Sequence, residues 1–262
     1  MQILDETIKA AVTDRLQQVE LHFASDVAFF YGSIDTSLLR GFRDFIEKMV
    51  EIIRHHYAEV YFVVPDVAFS AGTILCMAGD RIYMDYSSSL GPIDPQVFNG
   101  KDWVPALGYL DKVDALLAKS AAGTLTNAEF LILQNQDLAL MARYEQARDL
   151  TVTLLKKWLV EYKFRNWATH RTDPLKLGQP VTPAEKQERA QQIARKLGDN
   201  KLWHSHGRMI GPKTLSAELR LEINDYSADS VLRPLIRSYN ELLTTHIARN
   251  GYGLFMHSRD FF

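Results

Sequence analysis

Apolar and polar positions in the first half of the chain alternate between strand-like runs and helix-like spacing. Short apolar runs at residues 26–31, 59–65 and 81–85 contain β-branched and aromatic residues, as buried strands do. Residues 38–56 place apolar side chains three and four positions apart, which predicts one face of a helix. Residues 71–79 predict a shorter helix before the third strand. This order predicts an α/β fold with a mostly parallel sheet and right-handed crossovers.

The second half of the chain has a helical pattern. A capping box opens at Thr126, and neither Pro nor Gly interrupts the pattern from there to about Trp167. That length exceeds an ordinary globular helix, so we expect the helix to bend, break or extend into a partner subunit. A second helix opens at Thr182 with Pro183 at its first position, and a last helix covers about 229–249.

Length and composition limit the kind of protein. The 262 residues suit one large domain or one domain with a helical appendage. We predict an αβ core over 1–125 and a helical extension over 126–262 that completes the fold and forms an oligomer interface. A net charge of −2 indicates no nucleic-acid surface. The single cysteine, Cys76, is typical of a reducing compartment. Without a signal-peptide pattern or a membrane-length apolar run, we expect a soluble, cytoplasmic protein with no integral membrane segment.

A serine stands where the short apolar strand meets the helix that begins at Ala71. Serine is a preferred helix N-cap, so capping is one interpretation of Ser70. Nucleophilic catalysis is the other, because the hydroxyl can point into a cleft while the amide of Ala71 points at a developing oxyanion. Gly72 would let a peptide carbonyl approach the backbone closely. The G-x-S-x-G pattern of α/β-hydrolases is absent, since the sequence here is A-F-S-A-G.

The segment around Ser70 resembles the Clp-class serine peptidases related to signal peptide peptidase A, and among them the serine dehydrogenase proteinases. S-A-G-T at 70–73 and L-G-P-I-D-P-Q at 90–96 carry the resemblance, which extends more weakly to 27–32 and 202–210. It implies a crotonase/Clp-like β-β-α superhelix, Ser70 as the nucleophile, and assembly into a homo-oligomer. It also implies a peptide or unfolded protein as substrate, with no cofactor.

Two backbone amides are candidates for the oxyanion hole, those of Gly32 and Ala71. Members of the family that this chain resembles carry a Gly-Gly pair after the first strand, whereas this chain has Tyr31-Gly32-Ser33-Ile34. A single glycine still presents an amide to an oxyanion, although we then expect a narrower pocket or a different substrate. Gly32 as an ordinary strand-ending turn is the alternative.

Lysines and a histidine are both candidates for the base that activates the serine. Clp peptidases place a histidine in the region where this chain has Asp94-Pro95-Gln96. The membrane-associated relatives use a lysine further downstream, which corresponds here to Lys112 or Lys119. Lys112 lies among apolar residues that would desolvate its ammonium group, but a solvated position on a helix is equally compatible with the sequence.

His206, in the segment WHSHGR, is the alternative base, with Asp94 as the group that orients it. Asp94 lies between two prolines, where its side chain could instead stabilise the turn. His204 and His206 have no neighbouring Cys, Asp or Glu in sequence, so we expect no metal site. Only the fold can decide between lysine and histidine.

Three functions therefore compete. The first is a soluble serine peptidase that works through an acyl-enzyme at Ser70. The second is a catalytically inactive Clp-fold scaffold that organises partner proteins, which the single glycine at 32 and the missing Clp-type histidine favour. The third is acyl-CoA chemistry on the same fold, for which the chain offers no acidic pair with convincing spacing.

Overall fold

A computed structural model of the protein describes residues 2–32 and 42–261. The elements, in chain order, are α1 (Gln2–Phe23), β1 (Phe29–Gly32), α2 (Phe42–His56), β2 (Tyr61–Val64), β3 (Val67–Ala68), α3 (Ala71–Cys76), β4 (Arg81–Met84), β5 (Ser89–Leu90), β6 (Gln96–Phe98), β7 (Trp103–Pro105), α4 (Ala106–Ala121), α5 (Asn127–Gln134), α6 (Leu138–Trp158), a π-helical turn (Leu159–Lys163), α7 (Pro183–Leu197), α8 (Asn200–Trp203), α9 (Pro212–Leu219), β8 (Asn224–Asp225), α10 (Leu232–Asn250) and β9 (Leu254–His257).

The centre of the fold contains the predicted parallel strands. β2 and β4 pair in parallel with Tyr61 opposite Arg81, and β8 pairs in parallel with the other side of β4. After short breaks the chain forms β3 and β5, which again pair in parallel, with Val67 opposite Ser89. The protein is thus a mixed α/β structure whose parallel strands belong to two separate sheets. The serine turn follows β3 directly, so it lies at the carboxyl end of the β3–β5 pair.

The first strand is placed differently from the prediction. We expected residues 26–31 to join the parallel sheet, but β1 pairs in an antiparallel ribbon with β9, with Phe30 opposite Met256. The prediction was wrong because a strand's local pattern does not identify a partner from the distant end of the chain. The helices that precede these two strands also contact each other. α1 packs on α10, and Leu16 and Leu243 are among the buried residues of this contact.

The helices of the second half begin where the capping signals predicted. Thr126 forms a full capping box with Glu129, and α7 opens with the same arrangement at Thr182. The long helical pattern breaks, which is one of the three predicted outcomes, because Asp137 caps a new helix by accepting a hydrogen bond from the amide of Leu140 at 3.0 Å. α6 then continues into the π-helical turn. The division into units over 1–125 and 126–262 stays a prediction.

The largest hydrophobic core lies between the parallel strands, α3, α6 and α7. Its fully buried members include Met77, Ile82, Leu155 and Leu197. The same core includes residues that flank Asp94 and His206 in the sequence, namely Ile93, Trp203 and Ile210. The segments that carry the candidate acid and base are therefore held by the main core. Of the helices in the described part of the chain, none combines the length and apolar character needed to cross a bilayer.

A cluster of charged side chains joins α10 to the carboxyl ends of β2 and β4. Asp85 follows β4, its side chain is 0% exposed, and it accepts hydrogen bonds from Arg237 Nη2 at 2.8 Å and from Arg233 Nε at 3.2 Å. Arg237 also donates to Asp66, which follows β2, at 2.8 Å. Burial alone would raise the pKa of the Asp85 carboxyl, but hydrogen bonds from Arg237 and Ser87 outweigh burial and hold that pKa well below its usual range.

The variant Arg237→Met should lower the free energy of unfolding by about 2–3 kcal/mol at neutral pH, because it leaves a buried carboxylate with only part of its partners. The low pKa of Asp85 stabilises the folded state at neutral pH, and this contribution declines as pH falls below about 4, where the unfolded chain begins to take up the proton. Urea unfolding at pH 7 and pH 3 measures both effects. The control, Arg249→Met, changes an exposed arginine on the same helix. Equal effects of the two substitutions would contradict the prediction.

Candidate active site

Ser70 lies in a sharp turn between β3 and α3. Its backbone has φ +50° and ψ −108°, a conformation that residues with side chains rarely adopt. Such conformations cost about 1–3 kcal/mol and concentrate at functional sites. The surrounding backbone holds the turn, because the amide of Gly72 donates to the Phe69 carbonyl at 2.8 Å and the amide of Ile74 donates to the Ser70 carbonyl at 3.0 Å. The strain is therefore built into the connection between strand and helix.

The side chain of Ser70 does not cap the helix that follows it. Among the described residues, α3 receives no side-chain capping hydrogen bond from Ser70. The residue is half-buried, so its hydroxyl is not sealed inside the core. The structure thus gives no support to the capping interpretation of this serine.

The segment that contains Asp94 packs directly against the serine turn. A Cβ atom on Gly91 would lie 2.5 Å from Cδ1 and 3.2 Å from Cα of Phe69, so the close approach of the two backbones requires glycine. The hydroxyl of Thr73 forms a polar link at the same place, since the amide of Gly91 donates to its Oγ1 at 3.0 Å. These contacts hold residues 90–94 beside the turn that carries Ser70.

Asp94 and His206 form a hydrogen-bonded pair. Oδ1 of Asp94 lies 2.8 Å from Nδ1 of His206, and the side chains are 1% and 28% exposed, respectively. The second carboxylate oxygen accepts a hydrogen bond from Nε2 of Gln96 at 2.6 Å. An aspartate that accepts from Nδ1–H fixes the imidazole in the tautomer whose Nε2 is a proton acceptor. The pair has the chemistry of a general base and the group that orients it.

Backbone pairing brings the histidine segment to the acid. Leu90 and Ile210 form an antiparallel bridge, with amide-to-carbonyl distances of 3.0 and 2.9 Å. The indole of Trp203 is buried and donates to the carbonyl of Lys196 at 2.7 Å, which anchors the other side of the segment. Residues 90–94 therefore contact the serine turn on one side and the histidine segment on the other. The sequence motif that contains the acid is the structural link between the candidate nucleophile and base.

The two candidate lysines lie on α4 with exposed side chains. Lys119 pairs with Glu129 of the capping box that opens α5. Lys112 is on the exposed side of the helix, whereas Ala106, Leu110 and Leu116 are the residues of α4 that are buried. Of the two interpretations of Lys112, the structure therefore agrees with the solvated position on a helix and not with desolvation by apolar neighbours. Neither lysine therefore has the buried environment that a lysine general base requires.

The two candidate oxyanion amides lie on different elements. Gly32 ends β1 opposite Leu254 with φ +143°, and a Cβ there would lie 2.9 Å from Leu254 Cδ1, so the β1–β9 ribbon itself favours glycine. Ser33 and Ile34 lie outside the described residues. Ala71 is the first residue of α3, where an amide has no acceptor within the helix. That the two amides serve one oxyanion stays a prediction.

Gln96 and Thr73 are site residues to which the sequence pattern assigned no role. Both belong to the motifs at 70–73 and 90–96, and both contact the candidate machinery through hydrogen bonds. Their position inside these two motifs was the only feature of the sequence that could have identified them as site residues. Within residues 2–32 and 42–261, the His, Cys, Asp and Glu side chains form no group of three that could hold a metal ion.

The family relationship follows from residues 45–182, which match the model of ClpP-like SDH-type serine proteinases. This range covers more than half of the chain and contains Ser70 and Asp94. The chain belongs to this family. Membership in a serine proteinase family supports peptidase activity and a Clp-like α/β fold, while His206 lies beyond the matched range.

Two similar proteins are themselves uncharacterized, so the similarity to them indicates no activity. One uncharacterized protein of Methanocaldococcus jannaschii is 29% identical over 126 residues, which cover 44% of this chain and 42% of that protein. A second uncharacterized protein of the same organism is 33% identical over 51 residues, covering 20% of this chain and 18% of the relative. The chain thus spans less than half the length of these relatives. No solved structure matches it significantly.

Proposed function

We propose that the protein is a serine peptidase that hydrolyses peptide bonds through an acyl-enzyme at Ser70, with His206 as the general base. The observation that carries this proposal is the 2.8 Å contact between Asp94 and His206, held beside the strained serine turn by residues 90–94. Membership in the ClpP-like serine proteinase family supports it independently. The exposed positions of Lys112 and Lys119 favour the histidine over either lysine.

The reaction follows from the chemistry of these groups. His206 Nε2 takes the proton from Ser70 Oγ as the oxygen attacks the peptide carbonyl, and Asp94 stabilises the imidazolium that forms. The amides of Ala71 and Gly32 donate to the oxyanion of the tetrahedral intermediate. The imidazolium then protonates the leaving amine, and the acyl-enzyme remains. Water, deprotonated by His206, attacks the ester, and the peptide acid leaves as Oγ regains its proton.

We propose a peptide or unfolded protein chain as the substrate, and a homo-oligomer as the working form. Assembly would confine the sites and so favour extended chains over folded proteins. The exposed apolar side chains of α5 support an interface between subunits, because this helix buries none of its residues and exposes Phe130, Leu131 and Ile132. A cytoplasmic location is part of the proposal, since the one cysteine, Cys76, is buried and unpaired.

A catalytically inactive scaffold is the second candidate. The exposed apolar side chains of α5 favour it as much as they favour an oligomeric enzyme, because a partner protein could cover the same helix. The two functions differ in what they require of Ser70. A scaffold needs no reactive hydroxyl, whereas a peptidase does.

A fluorophosphonate probe distinguishes the two functions. We expect it to label the native protein at Ser70, because an activated Oγ forms a bond to phosphorus and displaces fluoride. Peptide mapping by mass spectrometry locates the adduct, and the urea-unfolded protein, which lacks the assembled site, is the control. A native protein without an adduct at Ser70, which also fails to cleave unfolded protein, would exclude the peptidase and leave the scaffold.

A further inference from the structure

The hydroxyl of Thr73 lies at the junction of the serine turn and the acid segment. The residue is 0% exposed and belongs to α3. Its Oγ1 accepts a hydrogen bond from the Gly91 amide at 3.0 Å, and it lies 2.6 Å from the Ala68 carbonyl and 2.9 Å from the Gly91 carbonyl. A hydroxyl has one proton and two lone pairs, so it accepts from Gly91 and donates to one of the two carbonyls. Each of these hydrogen-bond partners is a backbone group.

These backbone groups belong to the two strands that lead to the candidate site. Ala68 ends β3 just before Ser70, and Gly91 follows β5 just before Asp94. Pro92 lies between Gly91 and the acid and Pro95 directly follows the acid, so both restrict the backbone around Asp94. A shift at Gly91 is therefore passed on to the carboxylate and, through its hydrogen bond, to His206.

We propose that Thr73 is a positioning residue, whose hydroxyl sets the separation between Ser70 and the Asp94–His206 pair. The proposal rests on the proposed function. A side chain that only filled space could be replaced by valine, which has nearly the same shape. Valine would leave the Gly91 amide without its acceptor and one of the two carbonyls, of Ala68 or of Gly91, without its donor, and buried backbone groups move to find new partners. A misplacement of about 1 Å between reacting groups can lower a rate by about 10²-fold.

Three substitutions of Thr73, which differ in how much hydrogen-bonding capacity they keep, test the proposal. We expect Thr73→Val to lower kcat for an unfolded-protein substrate by about 10²-fold with little change in KM, and to slow fluorophosphonate labelling equally. Thr73→Ser keeps the hydroxyl and should restore most of kcat, and Thr73→Cys, a weaker donor and acceptor, should fall between them. The control, Thr151→Val, removes another buried hydroxyl, whose hydrogen bond to the Ala147 carbonyl stays within α6, and it should keep kcat.

The outcomes separate the role of Thr73 from the function itself. Circular dichroism shows which variants are folded at the assay temperature. If Thr73→Val does not fold, the order of kcat, serine above cysteine, still tests the proposal. Wild-type kcat in a folded Thr73→Val, or equal kcat for the serine and cysteine variants, would overturn the role of Thr73 alone. A wild-type protein without hydrolysis or labelling at Ser70 would instead overturn the proposed function and this inference with it.

Discussion

Replacing Ser70 by alanine is expected to lower kcat for peptide hydrolysis by about 10⁴-fold or more. Without Oγ no acyl-enzyme can form, and only substrate binding and the backbone amides are left to accelerate attack by water. The same substitution should change the free energy of unfolding by less than about 0.5 kcal/mol, because the Ser70 side chain makes no capping hydrogen bond whose loss would be felt. A quenched fluorescent unfolded protein measures the activity, and urea unfolding measures the stability.

A matched serine on another helix controls for the substitution itself. Ser120 lies on α4 with an exposed side chain, and Ser120→Ala should keep both activity and stability. The combination of lost activity and kept stability is the signature of a nucleophile rather than a cap. If Ser70→Ala hydrolyses the substrate at the wild-type rate, Ser70 is not the nucleophile. If it instead loses about 1 kcal/mol or more of stability and keeps its activity, capping is the correct interpretation.

The variant His206→Ala is expected to lower kcat by about 10⁴-fold, as loss of the base does in other serine hydrolases. Asp94→Asn should cost a similar factor, because an amide in place of the carboxylate favours the wrong imidazole tautomer. Lys112→Ala and Lys119→Ala should keep kcat, since both side chains are exposed on α4. The latter loses a surface ion pair with Glu129, and this loss should affect stability little because water screens the pair.

This comparison decides between the two classes of base. An inactive Lys112→Ala beside an active His206→Ala would show that a lysine takes the proton, and the Asp94–His206 pair would then be structural. Measuring the variants with the fluorophosphonate as well as with substrate separates activation of Ser70 from binding of the peptide, because the probe reports on the hydroxyl and not on substrate contacts.

Local interactions explain which elements the sequence predicted correctly. The capping boxes at Thr126 and Thr182 involve residues three positions apart, so they are complete within the sequence and appear unchanged in the structure. The parallel strands β2 and β4 were predicted from two short apolar runs with a predicted helix between them. The break before α6 was also a local matter, because Asp137 caps the new helix. The length of the pattern already predicted a bend, a break or an extension, but not that a break falls at Asp137.

The sequence alone determined the serine, the motifs around it and the parallel strands, because each depends on neighbours a few positions away. Only the tertiary structure joined β1 to β9, exposed Lys112, and brought Asp94 to a histidine 112 residues further along the chain. These features depend on pairings between distant segments, such as the bridge of Leu90 to Ile210. Local side-chain patterns cannot encode which distant backbones meet, since the packing of the whole core selects them.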